Sequence, residues 1–191
     1  MLITVKDNFP EVMAQLEQLH KDVREQALVR AVNSTLAQGQ TRMAQEISRE
    51  FNITSREVKD RLQVIKATWR NGLLSVKGVL QVTNKRGRSL NLIHFDARQT
   101  PAGVSVKILR SGGRKVLKGA FIANQGRTVF QRVGKTRLPI KAMQTVDVPQ
   151  MFNTKRINRV VVQLLQDKFP EVFQREAKYY TDRFNAKRAG A

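Results

Sequence analysis

Apolar residues recur at helical spacing near both ends of the chain and at strand spacing between them. The spacing from Phe9 to Leu19 predicts a helix from Phe9 to about His20. A longer stripe predicts a second helix from about Asp22 to Phe51, which Gly39 weakens without ending it. This stripe consists of Leu28, Val32, Leu36, Met43, Ile47 and Phe51. Because only one side is apolar, we expect the helix to pack on a partner layer or on another subunit.

Two further helices are predicted from local signals. Thr54 and Glu57 have the spacing of a capping box, in which the Thr54 side chain caps the helix and Glu57 reaches back, so a short helix to about Leu62 is expected. From Ile157 onward the helical period returns, and Pro170 should kink or divide that helix. The small, basic tail from Asn185 to Ala191 is expected to fray.

The middle of the chain alternates apolar and polar residues, which is typical of strands. Short turns separate these strands, so parallel crossovers are excluded and the sheet should be antiparallel. The turn at Asn124–Arg127 predicts a hairpin closed through Gly126. In the first strand, Gly78 suggests a bulge or a bend. The predicted strands are Leu74–Val82, Leu90–Ala97, Val104–Leu109, Val116–Ala123, Thr128–Val133 and Lys141–Val146.

The order of these elements predicts an α+β fold. An antiparallel β-sheet in the middle of the chain should pack against a long N-terminal helix and a C-terminal helix. At 191 residues the chain is long enough for one domain with a real core. We expect a single domain over residues 1–191, with a helical part at 1–62, a basic sheet at 63–147 and the C-terminal helix at 148–191.

The charge is concentrated in that predicted sheet. Residues 61–146 hold 18 Lys and Arg and one acid, Asp96, and account for +17 of the formal net charge of +20. Because neighbouring carboxylates are too few to neutralise this block, it should meet a polyanion or acidic surfaces of partner proteins. A plain solubility surface is the alternative. The candidate contact residues are Lys85, Arg86, Arg88, Arg114, Lys115, Arg127, Arg132, Lys135 and Arg137.

Catalytic chemistry finds little support in the sequence. There is no cysteine, and the two histidines lie in different elements, with His94 expected as an ordinary core or edge imidazole. No cluster has metal-ligand spacing, and the acids Glu46, Glu50, Glu57 and Asp60 are interpreted as a solvated helix face. Ser111–Lys115 lacks the spacing of a phosphate-binding loop. We therefore expect no enzyme, no cofactor and no metal. Without a signal peptide or membrane-length apolar run, we expect a soluble protein made in the cytoplasm.

The predicted hairpin carries a resemblance to a known family. The chain resembles the minor tail protein Z family of long-tailed phages and prophages, although its long helix carries more acids than that family would suggest. The N-terminal helix, with its Ala, Asn and Ser residues over Ala27–Gln38, is similar too. The matching residues are Gly119–Ile122, Gly126-Arg127, Val129–Arg132, Gly134-Lys135, Arg137, Pro139-Ile140 and Val148-Pro149.

The resemblance implies a structural virion protein. Such a protein would be a tail-completion or neck component at the head-proximal end of the tail, helping head–tail joining and DNA positioning. Its implied partners are copies of itself in a ring, commonly six-fold, the tail terminator or tail tube, the head-connector proteins and genome DNA in the channel. Assembly would take place in the host cytoplasm, without a membrane. The alternative hypothesis is an architectural protein that binds nucleic acid without sequence preference.

Overall fold

The computed structural model describes residues 19–70, 73–75, 79–82, 89–153 and 155–189. A long helix opens this part of the chain, short strands follow, and a second long helix ends it, so the predicted α+β class is confirmed. The predicted helix at 9–20, except for its last two residues, and the cations Lys85, Arg86 and Arg88 lie outside the described residues. The helices are α1 (Lys21–Glu50), α2 (Ser55–Lys59), α3 (Val148–Phe152) and α4 (Lys155–Ala189), with a 3-10 turn at Leu92–His94.

The strands are short and pair antiparallel in small groups instead of forming one sheet. Among the described residues, β1 pairs with β4 and β2 with β3, while β5-β6-β7 and β8-β9-β10 form two three-stranded sheets. The strands are β1 (Leu62–Ile65), β2 (Thr68–Arg70), β3 (Leu73–Ser75), β4 (Val79–Val82), β5 (Arg98–Thr100), β6 (Gly103–Val106), β7 (Lys115–Lys118), β8 (Ala120–Ala123), β9 (Thr128–Arg132) and β10 (Ile140–Ala142).

The chain divides into two compact units, and the boundary falls within both long helices. The first unit contains the residues up to 42, residues 62–81 and the residues from 158 onward. Here Ala27 and Ala31 of α1 form a buried cluster with Val172, Phe173 and Ala177 of α4. The small alanines let the two helices approach closely. The predicted apolar stripe of α1 is therefore correct only toward its end, where Met43, Ile47 and Phe51 are buried; its earlier members, Leu28, Val32 and Leu36, are half-buried beside the alanines.

Gly39 has a packing role in the same unit. A methyl group at this position would stand 2.7 Å from Cδ2 of Leu165 in α4, closer than a real contact allows. The absent side chain therefore provides the space for Leu165. The link between β1 and β2 is tied to α1 by Asn33, whose side-chain oxygen accepts from Ala67 N at 2.8 Å and whose amide donates to Ala67 O at 3.0 Å.

The second unit contains residues 43–61 and 82–157. Its buried apolar side chains come from the end of α1, from both three-stranded sheets and from α3, and they include Ile47, Phe95, Val104, Val129 and Phe152. The end of α1 is joined to the segment after β6, because Asn52 N donates to Ile108 O at 2.7 Å and Arg110 N donates to Glu50 O at 2.9 Å. These bonds fix the start of the loop that leads to β7.

Several predictions for the middle of the chain were wrong in detail. Residues 90–97 are not a strand: Asn91 caps a 3-10 turn by accepting from Ile93 N at 3.0 Å, and Asp96 has a positive φ of 47°. Residues 116–123 form two strands of different sheets, because Gly119 between them has a φ of 70°. A side chain at that φ would be strained, and glycine avoids this cost.

The predicted capping box is confirmed, since Glu57 N donates to the Thr54 hydroxyl and Thr54 N donates to the Glu57 carboxylate. The α4 helix continues through Pro170 instead of dividing there, and it extends to Ala189 where we expected fraying. A proline removes one backbone donor, and the burial of Val172 and Phe173 directly after it supports the helix across that gap.

Candidate partner-binding surface

The β8–β9 hairpin is the predicted one, and its turn chemistry explains it. Asn124, Gln125 and Gly126 have positive φ values of 57°, 55° and 79°, which close the turn between the two strands. In the register Phe121 lies opposite Phe130. Asn91 fastens the hairpin from outside: its side-chain oxygen accepts from Val129 N at 2.9 Å, and its amide donates to Val129 O at 3.2 Å. The hairpin is therefore a fixed base for the cations beside it.

The two sides of this hairpin differ in exposure. Val129 is fully buried on the inner side, whereas Phe121 and Phe130 stack on the outer side with ring centroids 6.1 Å apart and are only half-buried. The Arg132 guanidinium lies over the Phe121 ring at 5.2 Å, a cation–π contact on the outer side. Arg132 is therefore held in place by an aromatic ring.

The loop between β9 and β10, residues 133–139, is named here the hairpin tip. Val133 N donates to Pro139 O at 3.0 Å and closes it. Every residue of the hairpin tip is exposed, including two cations, Lys135 and Arg137. Val133 and Leu138 expose 67% and 66% of their surface, the largest exposed fractions among the large apolar side chains of the described residues. The hairpin tip thus combines positive charge with uncovered apolar surface.

Over residues 97–146, all of which the structure describes, ion pairs neutralise only a small part of the positive charge. From residue 97 to residue 146 the sequence holds eleven Lys and Arg and no acid. The one acid just before them, Asp96, pairs with Arg114 at 2.5 Å and with Arg98 at 3.2 Å. The hydrogen bond from Arg114, followed by that from Arg98, lowers the pKa of Asp96 below its ordinary value.

Arg114 therefore differs from the other candidate residues. It also donates from Nε to the Ser105 hydroxyl at 2.9 Å, so several of its donors are used within the protein. The remaining described candidates are exposed and form no ion pair with any residue that the structure describes: Lys115, Arg127, Arg132, Lys135 and Arg137. Lys118 and Lys141 share these properties, and their position on edge strands of the two sheets could not be read from the charge count alone.

The acids of the second unit do not form the solvated helix face that we expected. Glu46 is 1% exposed and accepts from Arg49 at 2.9 Å and from Arg156 at 3.0 Å. Arg156 also donates to Glu50 at 3.0 Å. The hydrogen bonds to Glu50 and then to Glu46 raise the pKa of Arg156. The partner arginine lies 110 positions away in the sequence, and helical spacing gives no signal for such a pair.

His94 lies in the 3-10 turn and not in the predicted strand, and its imidazole has a side-chain partner. Its Nδ1 contacts Oε1 of Glu57, the residue that also closes the capping box of α2. Burial raises the pKa of Glu57, but the hydrogen bond and charge of His94, together with the bonds from Thr54, outweigh this effect, and the pKa is lowered. Within the described ranges, no group of three or more His, Cys, Asp or Glu could hold a metal ion. The helices in this part of the chain are too short or too polar to cross a membrane.

Comparison with known proteins gives one informative result. The family model described as prophage minor tail protein Z (GPZ) matches residues 9–187. No curated protein and no solved structure matched the chain. The family match covers the long helix α1, the exposed basic hairpin and nearly all of α4. The chain belongs to the prophage minor tail protein Z family.

Proposed function

We propose that this protein completes the head-proximal end of a phage tail, where it helps the tail join the head and positions the DNA. Its family gives it a structural role in a phage tail. The observation that carries the finer proposal is the exposed basic surface around the β8–β9 hairpin. Cations without a carboxylate partner repel each other unless something negative meets them. In a tail, DNA and acidic faces of neighbouring proteins are the available partners.

The surface has two parts, and they favour different partners. Lys115, Lys118 and Arg127 present charge from strands and a tight turn, which suits contact with phosphates without sequence preference. The hairpin tip adds Val133 and Leu138, and apolar side chains gain nothing from phosphates but do gain from burial against protein. We therefore assign the hairpin tip to an acidic protein partner with an apolar recess, either a neighbouring ring or an adjacent copy.

In a ring of identical chains, the positive charges of all copies would act together on DNA in the channel. Closed rings repeat one surface around an axis, so a basic surface turned to the lumen would produce a large positive field toward DNA in the channel. We propose such a ring, six-fold by analogy with the family. Attraction of this kind falls steeply as the salt concentration rises.

Charge reversal in assembled particles tests the proposal. We would complement a prophage that lacks this gene with Lys135→Glu/Arg137→Glu or with Lys115→Glu/Lys118→Glu, and measure infectious titre and tail incorporation. The matched control is Lys178→Glu/Lys187→Glu on α4, which changes the charge equally at exposed positions. We expect the first two variants to fold and to lower the titre at least about tenfold, whereas the control stays near the wild type. Full titre from both surface variants would sink the charge assignment.

The alternative, a freestanding architectural nucleic-acid-binding protein, makes a different prediction in solution. Mass photometry of the purified protein with and without duplex DNA, at several salt concentrations, separates the two functions. A monomer that binds the duplex tightly, with a steep salt dependence, would support the alternative. Weak binding by the free protein, with ring formation in the presence of tail proteins, would support tail completion.

A further inference from the structure

A second polar site lies in the second unit, at the end of α1. It is an open cleft of about 500 Å³, named here the oxyanion cleft. None of its lining residues is an acid, and two of them are arginines. These lining residues are Gln45, Ser48, Arg49, Ser55 and Arg110. None of them belongs to the partner-binding surface proposed above, so the two sites can be tested separately.

Arg110 is held in place at the rim of the cleft. Its Nε donates to the Ser48 carbonyl oxygen at 2.6 Å, and its backbone N donates to the Glu50 carbonyl oxygen at 2.9 Å. Both carbonyls belong to the last turn of α1, where free carbonyls attract a cation. This capping role uses only Nε. The terminal nitrogens of the Arg110 guanidinium have no hydrogen-bond partner among the described residues, so they remain available to a ligand.

Arg49 supplies the second cation in a comparable way. Its Nη1 donates to Glu46 at 2.9 Å, and its side chain is 67% exposed, which leaves its other nitrogens to solvent. Glu46 itself is buried and shares its charge with Arg156, so it does not line the cleft. The cleft is therefore bordered by two anchored guanidinium groups, and none of its lining residues is an acid that could pair with their free N–H donors.

Hydroxyl groups complete the set of donors. Ser48 Oγ and Ser55 Oγ lie 3.0 Å apart in one hydrogen bond. Their mutual bond uses one of the two hydroxyl protons, and the other proton remains free to donate. The Gln45 amide adds further donors at the same cleft. Planar guanidinium groups and hydroxyls are the donors that proteins use for phosphate oxygens.

We propose that the oxyanion cleft binds a phosphate group, with Arg110 and Arg49 on its oxygens and the serine pair donating the remaining hydrogen bond. The phosphate can come from a DNA backbone or from a free phosphate anion, since the donor set recognises the group that both share. The cleft would give the protein one defined phosphate contact, in addition to the diffuse attraction of the exposed cations.

Amide NMR of the full chain tests the site without any variant. Sodium phosphate is titrated against a sodium chloride series of equal ionic strength, and the Ser48, Arg49 and Ser55 amides are followed. We expect saturable shifts of these amides with phosphate and none with chloride. A parallel titration with a short duplex identifies the source: cleft shifts with the duplex indicate a backbone phosphate, and their restriction to inorganic phosphate indicates a free anion. No saturable shift in either titration would overturn the proposal.

Variants then assign the donors. Arg110→Gln should weaken phosphate binding at least about tenfold, because a charge-assisted pair is lost. Ser48→Ala removes one hydroxyl but keeps the carbonyl that anchors Arg110, and a loss of about threefold is expected. The control Lys178→Gln removes one exposed charge of α4, outside both the cleft and the basic surface, and should change the affinity less than about twofold. Equal binding by Arg110→Gln and Lys178→Gln, with both amide spectra native, would contradict the assignment.

Discussion

Removal of the buried carboxylate of Glu46 should destabilise the second unit. In the variant Glu46→Ala, two charged hydrogen bonds are lost, from Arg49 at 2.9 Å and from Arg156 at 3.0 Å. Hydrogen bonds to charged groups contribute about 1.5–3 kcal/mol each to the free energy of unfolding. The Glu46 side chain is only 2% exposed, so its removal also leaves a cavity at the end of α1.

Two effects make the net loss of stability smaller than the sum of the lost hydrogen bonds and the cavity. The arginine side chains are 67% and 49% exposed, and water replaces part of the lost bonding. The variant also no longer has to bury a carboxylate, which by itself is unfavourable. We therefore expect a net loss of about 2 kcal/mol. For a chain of this size this corresponds to a fall of about 4–8 °C in Tm.

Glu50→Ala is the matched control. Its carboxylate is 29% exposed and accepts one hydrogen bond, from the same Arg156, so we expect a loss of only about 0.5 kcal/mol. Thermal unfolding followed by far-ultraviolet circular dichroism measures both variants against the wild type at pH 7. If Glu46→Ala melts no lower than Glu50→Ala, burial does not decide the strength of this charge cluster and the reasoning is refuted.

Two further predictions concern the hairpin and the capping residue. Gly126→Ala should lower the free energy of unfolding by about 1 kcal/mol, because an alanine at a φ of 79° is strained. The control Gly134→Ala has equally open space around it and an ordinary φ, and it should change the free energy of unfolding by less than about 0.5 kcal/mol. Equal urea midpoints for the two variants would contradict this. Glu57→Gln tests the lowered pKa of Glu57. Because this pKa is lowered on folding, the ionised carboxylate stabilises the folded protein above the ordinary pKa of 4.5, and this stabilisation is lost as the pH falls through the lowered pKa. The stability difference between the wild type and Glu57→Gln should therefore be full at pH 7 and should shrink in acid, and a difference that is constant with pH would refute the role of the charge.

Local patterns in the sequence were enough to predict the described helices and the β8–β9 hairpin. The helix α1, the capping box of α2 and the turn at Asn124–Arg127 each depend on residues close together in the chain, and each was confirmed. The strand assignment at 90–97 failed because alternation alone does not reveal Asn91 as a cap. The split after Lys118 failed because the consequence of Gly119 depends on which neighbouring strands are available.

The candidate surface, too, could be predicted only in part from the sequence. Charge counting located the basic block, since an excess of cations over 86 residues is a property of composition. Charge counting could not distinguish Arg114, which binds Asp96 and Ser105, from Lys115, which has no such partner among the described residues. The contact of the buried Glu46 with Arg156 and the half-buried aromatic pair of the hairpin could be seen only in the tertiary structure, because such contacts join distant residues or depend on what covers a sheet.

The central claim is that the exposed cations around the β8–β9 hairpin meet a negative partner in the assembled tail. A reconstruction of the head–tail junction by electron cryomicroscopy tests it most directly. The account predicts a ring of this protein at the head-proximal end of the tail, with Lys115 and Arg127 toward DNA or acidic side chains and the hairpin tip against a neighbouring protein. A protein located elsewhere in the particle, or a ring there with these cations turned to solvent, would contradict it.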